Sequence, residues 1–133
     1  GKDVIQEISE EIKRELAENL EQYPHLMQYK DWFSNPDFSV FNHASDILMI
    51  YGNTNTYYYK EDGCLAAANI MLAAHDMGIG SCWIGFAEYH MNSKTFKEKY
   101  HVPQEYELVC TMSLGYEIHE LKPPKRKDPV MFG

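Results

Sequence analysis

Residues 63–77, GCLAAANIMLAAHDM, are apolar around almost the whole circumference of a helix. Cys64, Ala67, Met71 and Ala74 fall on one stripe, and Ala66, Ile70, Ala73 and Met77 on another. Only Asn69, His75 and Asp76 interrupt them. A helix with so small a polar face is expected to be covered on most of its sides. Its alanines let neighbouring backbones come close. Asp62 is the predicted N-cap and Gly78 the predicted C-cap, since a short polar side chain opens a helix and glycine closes it.

The cover has to come from strands and other helices. Residues 106–116 alternate as a strand. Tyr106, Leu108, Cys110, Met112, Leu114 and Tyr116 point one way, and Glu107, Val109, Thr111, Ser113 and Gly115 the other. DILMIY, residues 46–51, reads as a second strand buried on both faces. Two strands alone make a poor sheet, so a further partner is expected. Residues 3–21 read as an amphipathic helix, with Ile5, Ile8, Ile12, Leu16 and Leu20 on its inner stripe and an acidic, solvated face. Pro24 is expected to stop it. The turn-rich stretch GNTNTYYYKED is expected to cover the entrance to the 63–77 helix. A shorter helix is predicted from Ser93, its cap, to Tyr100, with Phe96 and Tyr100 on its inner face. Between the first helix and the first strand lie Tyr23, Tyr29, Trp32, Phe33, Phe38 and Phe41 without a clean period. So aromatic a stretch is expected to pack on the core, a partner subunit or a ligand. The order of elements indicates an α+β or α/β sandwich with few strands, built as one domain over residues 1–133.

The charge balance narrows the function. Twelve Lys and Arg stand against twenty Asp and Glu, a net charge of −8. An acidic chain repels phosphate backbones, which argues against nucleic acid as a partner. Cys64, Cys82 and Cys110 have no short spacing, so three reduced and mostly buried thiols are expected, with no zinc site. The six histidines show no metal-site spacing, and each is read as structural or exposed. No apolar run is long enough to cross a bilayer and no signal-like opening is visible, which leads to the expectation of a soluble, cytoplasmic protein with no membrane partner.

GIGSCWIGF, residues 78–86, fails the dinucleotide pattern G-x-G-x-x-G, because Trp83 stands where its third glycine belongs and the segment closes a helix instead of opening one. Gly78, Gly80 and Gly85 would let a flat ligand approach the backbone. The other reading is a helix C-cap and tight turn with Trp83 in the core.

The stretch DGCLAAANIMLAAHDMGIGSCWIG, residues 62–85, resembles the most recognisable segment of the nitroreductase family. The likeness continues in order through a short helix ending at Tyr100, a VP pair, a strand ending LGY, and the proline-rich basic tail LKPPKRKDP; upstream, ASDILMIYGN resembles the family's buried strand. It covers residues 40–130, and more weakly the first helix. The resemblance implies an α+β fold, a three-layer α/β/α sandwich that here is N-terminally truncated. It implies an oxidoreductase with FMN as cofactor, working as a homodimer with flavin at the subunit interface. Electrons would pass from NADH or NADPH through the flavin to a nitro compound, quinone or similar acceptor. Ile84 and Gly85 match the family turn beside the flavin's reactive nitrogen, and Ser81, Cys82 and Trp83 would line the ring's edge. Cys82 is read as lining and not as a nucleophile, so no protein residue is singled out as catalytic. Lys125, Arg126 and Lys127 match the tail that reaches the flavin phosphate, Arg126 foremost.

The chain also departs from the family pattern. The arginine-rich opening segment and the Asn-x-Gln-Pro-Trp-like strand that follows it have no counterpart here, and Arg14 lies within an acidic helix. That departure keeps two other readings open. One is a relative without catalysis that serves as a flavin-binding or dimerising regulatory module. The other is a structural fragment that folds only by dimerising, with the aromatic stretch of residues 22–45 at the interface.

Overall fold

A computed structural model describes residues 1–116 and 122–132 of the chain. The predicted elements are present, with five helices and three strands among the described residues: α1 (Lys2–Glu18), α2 (Lys30–Phe33), β1 (Asp46–Asn53), α3 (Tyr59–Asp76), β2 (Gly80–Trp83), α4 (Glu88–Asn92), α5 (Lys94–Lys99) and β3 (Tyr106–Gly115).

The strands form one antiparallel sheet in the order β1-β3-β2. The expected third partner is β2, which lies inside the glycine-rich segment read from sequence as a turn. It pairs Gly80 with Gly115 and Trp83 with Met112. Four residues are too few for a period of two to be legible. β3 is central and carries both layers of the core.

Its alternation is broken by a bulge. Ile50 pairs with Cys110 and Tyr51 with Leu108, so Val109 is the extra residue. The predicted single face from Tyr106 to Tyr116 is therefore split. Leu108 joins the large cluster with Ile8, Ile12, Leu16, Phe41 and Met91. Cys110 and Met112 join Ala67 of α3 in a second cluster on the opposite side. The N–H of Leu108, beside the bulge, donates to Asn92 Oδ1 at 2.8 Å, which keeps a half-buried donor satisfied.

α1 ends earlier than predicted. Asn19 closes it, its N–H and Nδ2 both donating to Glu15 O, while Pro24 opens a separate 3-10 turn over Pro24–Tyr29. Ile8, Ile12 and Leu16 are buried as expected, each contributing about 1.5–3 kcal/mol. The aromatic stretch packs back on this helix. Ser9 Oγ accepts from Val40 N–H at 3.0 Å, and buried Lys13 donates to Asn35 O. Phe33 and Phe41 fill the core, while Met27 and Trp32 stay about half exposed. On its other flank α1 meets His90 of α4, whose Nδ1 is 2.7 Å from Glu15 and whose Nε2 is 3.4 Å from Glu11.

α3 starts earlier than predicted. Asp62 lies in its first turn, where the helix dipole favours a carboxylate, and it is not the cap. Gly78 takes φ 72° and closes the helix in a Schellman arrangement. Its N–H donates to His75 O, and Ile79 N–H to Ala74 O at 2.8 Å. The expectation of cover on most sides is not met within the chain. Gly63, Ala67 and Ala74 are buried against the sheet, whereas Leu65 and Leu72 are 65% and 71% exposed. Cys64 and Cys82 are exposed too, so only Cys110 is the buried thiol expected of all three.

Ser93 caps α5 as predicted, accepting from Phe96 N–H at 3.2 Å, with Phe96 buried and the Tyr100 ring 4.5 Å from it. Residues 117–121, which include His119 and the first residue of the predicted basic tail, lie outside the described residues.

Two outcomes follow from the bulge and the helix that packs on it. A Cβ at Gly63 would lie 2.8 Å from both methyl carbons of Val109. Gly→Ala in an open helix gains about 1 kcal/mol, but Gly63→Ala is expected to gain nothing and Gly63→Val to lose about 1–3 kcal/mol through overpacking. Urea unfolding midpoints measure both. Asn92→Ala should lose about 1–3 kcal/mol because Leu108 N–H is left without its acceptor; the same titration checks it, and an unchanged midpoint would rule out this bond as a support of the bulge.

Candidate functional site

β2 and the turn after it place the residues singled out from sequence along one line of backbone, but not in one environment. Ser81 and Cys82 line a cavity of about 400 Å³ at the C-terminal end of β3. Its other walls come from Asn42, Ser45, Ser113 and Gly115. Asn42 and His43 both hold φ near 55°, a left-handed backbone that costs energy in non-glycine residues. The loop is fixed in that shape by Ser39, whose Oγ accepts from His43 N–H and whose carbonyl accepts from Asn42 N–H. Sequence reasoning missed this wall. The available signal was the Asn-His pair itself, since both tolerate positive φ better than most residues.

Trp83 follows at the end of β2 and is 41% exposed, which removes the reading of it as a core residue. Ile84 behaves in the opposite way. Its side chain is buried in the large cluster and its N–H donates to Thr111 O at 2.8 Å. The Ile84 amide is therefore engaged, and its role is to anchor the turn to β3. Gly85 comes next and is exposed. A Cβ built on it meets nothing within 4 Å, and its N–H has no backbone acceptor among the described residues. Gly85 thus carries a backbone donor with no backbone acceptor among the described residues, on a turn anchored by Ile84, with open space where a side chain would stand. A flat ligand with an acceptor on its edge fits such a surface.

Lys125, Arg126 and Lys127 are exposed and lie outside any helix or strand. They are not brought against Ser81 or Gly85 by any contact among the described residues. They remain the densest positive charge in an acidic chain: four of the twelve basic residues fall within 122–127.

The titrating groups near this line do not suggest protein-based covalent chemistry. Burial, followed by the nearby Cys64, pushes the Cys110 thiol up to about 11, so it stays protonated at neutral pH. Burial also raises the Tyr51 hydroxyl to about 12 while it donates to Met91 O at 2.8 Å, a structural tie between β1 and α4. Exposed Cys82 has only a 3.8 Å contact from its Sγ to Trp83 O. Among the described residues no three His, Cys, Asp or Glu side chains are grouped to hold a metal ion, and no helix is long and apolar enough to cross a membrane.

Known proteins share both the pattern and the frame. The model of the nitroreductase family matches residues 1–116. A protein of Archaeoglobus fulgidus, provisionally named an NADH dehydrogenase/NAD(P)H nitroreductase, is 36% identical over 58 residues, which is 44% of this chain and 33% of that protein. The crystal structure of a nitroreductase with bound FMN from Bacteroides fragilis superposes with a TM-score of 0.75 at 23% identity, over 92% of this chain and 66% of that one. A second FMN-bound nitroreductase, from Desulfitobacterium hafniense, gives a TM-score of 0.70 at 22% identity, over 96% of this chain and 68% of that one. At such identities the two structures speak for the fold. The chain spans about a third of its Archaeoglobus relative and about two thirds of each structure. With the family pattern running through residues 1–116 and the three-layer frame matching family structures, the chain belongs to the nitroreductase family.

Proposed function

We propose that this chain is part of an FMN-dependent oxidoreductase that carries electrons from NADH or NADPH to a nitro compound, quinone or similar acceptor, and that it works as a homodimer. The observation that carries the reading is Gly85, an exposed glycine with a free N–H and open space, fixed by the buried Ile84 beside it.

The residues present fit the cofactor. FMN offers a flat ring with hydrogen-bond acceptors on its edge, a chain of hydroxyls, and a phosphate. The Gly85 N–H is the donor suited to the ring edge, and Trp83 gives it an exposed aromatic surface. Asn42, Ser45, Ser81 and Ser113, all at the neighbouring cavity, can exchange hydrogen bonds with hydroxyls. Lys125, Arg126 and Lys127 supply the charge a phosphate needs, with Arg126 able to bind two oxygens at once.

Once bound, the flavin supplies the two-electron chemistry. The protein's part is orientation and electrostatics. The Gly85 N–H favours negative charge on a reduced ring, and it is already in place because the Ile84–Thr111 hydrogen bond holds the turn. The cost of arranging this donor is met on folding and not during turnover.

The dimer reading rests on α3. Leu65, Ala68 and Leu72 repeat at three- and four-residue steps on its outer side and are exposed, beside exposed Met77 at its C-terminus. An apolar face of this kind on a soluble chain marks an interface. A second copy of α3 would complete the burial its composition calls for.

A specific feature favours the second reading, a flavin-binding or dimerising relative without catalysis: residues 1–116 contain one arginine, Arg14, and it is exposed on α1. The tail would then be the main phosphate contact. Turnover separates the readings.

Purified chain mixed with FMN and desalted is expected to retain flavin absorption at about one flavin per chain. Gly85→Ala should keep the unfolding midpoint within about 0.5 kcal/mol, because the methyl meets no protein atom, yet weaken FMN binding at least about tenfold by filling the ring's space. Alanine at Lys125, Arg126 and Lys127 together should weaken it by about 2–4 kcal/mol, with less dependence on salt. A colourless wild-type protein would sink the cofactor assignment. Flavin that binds but turns over with neither NADH nor NADPH would favour the second reading. For the interface, Leu65→Asp with Leu72→Asp should convert a dimer into a folded monomer by sedimentation equilibrium; a wild-type monomer would refute the dimer.

A further inference from the structure

Another cavity, of about 350 Å³, is the one that Gly85 itself lines. Tyr29, Phe86 and Tyr89 supply aromatic walls, and His25 and Glu88 supply polar groups. The walls are braced from behind. Tyr89 is stacked on Tyr23 with centroids 4.1 Å apart, Tyr29 meets Phe86 edge-on at 5.1 Å, and Phe86 is set against Phe33 at 5.3 Å. Aromatic surfaces braced in this way offer another flat ring a wall that is already in place.

The charge around the cavity has one sign. Glu88 is the one carboxylate among its lining residues, and no lysine or arginine lines it. Burial and then the Glu15 carboxylate raise the Tyr23 hydroxyl above its ordinary value, which leaves it a neutral ring behind Tyr89. A ligand here meets apolar faces and a negative rim, within a chain already net negative.

We propose that this cavity is the subsite for the electron acceptor, and that Glu88 makes it select neutral or cationic aromatic acceptors over anionic ones. The inference rests on the flavin reading, because Gly85 is shared between the two sites. Glu88 acts as a specificity residue through its charge, while Tyr29, Phe86 and Tyr89 position the ring.

The test uses the full chain without flavin and three probes of one shape: 4-nitrobenzyl alcohol, 4-nitrobenzoate and 4-nitrobenzyltrimethylammonium, measured by equilibrium dialysis. The anion is expected to bind about fivefold or more weakly than the alcohol, as one like charge at a few ångströms in water gives, and the cation at least as well as the alcohol. Glu88→Gln should bring the anion within about twofold of the alcohol. Tyr89→Ala should weaken all three; should that variant fail to fold, Glu88→Gln leaves the walls intact and still decides the question. Equal binding of all three probes, or a preference that survives Glu88→Gln, overturns the proposal. FMN is then added to the probe-bound chain. FMN that binds alongside the probe supports two adjoining sites, and FMN that displaces it assigns the cavity to the flavin and overturns the proposal. Failure of FMN to bind at all, with the Glu88-dependent preference intact, overturns the flavin reading and the word acceptor but not the charge-selective site.

Discussion

The bulge at Val109 is the constraint on which the rest of the structure depends. A three-stranded sheet with helices on both faces needs a central strand that is apolar on both sides, yet strict alternation gives β3 one apolar face and one mixed face. The extra residue at 109 changes the register. Before it, Leu108 faces the α1 layer; after it, Cys110 and Met112 face α3. Val109 itself reaches the α3 backbone, and only a glycine at position 63 leaves room for it. The bulge, Gly63 and the Asn92 side chain that takes up the Leu108 N–H form one device, and each member would be unfavourable without the others.

What was legible in the sequence was whatever its local period could encode. α1 and its stripe, β1, the Ser93 cap and the apolar character of β3 are all local patterns, and each is present. β2 was hidden because four residues with glycine at the start carry no period; its strand character comes from pairing with β3 and not from propensity. The bulge was hidden for a similar reason, since register belongs to two strands at once. The exposed side of α3 was misjudged differently. Composition says that a face will be covered, but it does not say by which chain.

The candidate site was legible only through family likeness. No spacing rule singles out Gly85, whose distinction is an open space and a free N–H. The structure sharpens that reading by separating neighbours. Ile84 is committed to the core and to Thr111, so it holds the turn, and a ligand contact there is proposed for Gly85 alone. The wall made by Asn42 and Ser45 had no sequence signal comparable to its strained backbone, which is a property of the folded loop.

Charge ties the two ends of the molecule to the chemistry proposed for it. Residues 122–127 hold four of the twelve basic side chains, whereas the acidic residues are spread over the helices and loops. A phosphate would be repelled by most of this surface and attracted by the tail, so under the proposed function the tail would give an anionic cofactor both affinity and direction. The opposite holds beside Gly85, where Glu88 and the aromatic walls disfavour an anion. One chain would then attract an anionic cofactor through its basic residues and discriminate against anionic acceptors beside Gly85. That separation needs no moving part. It follows from placing the positive charge on residues 122–127, outside any helix or strand, and the negative charge at the start of α4.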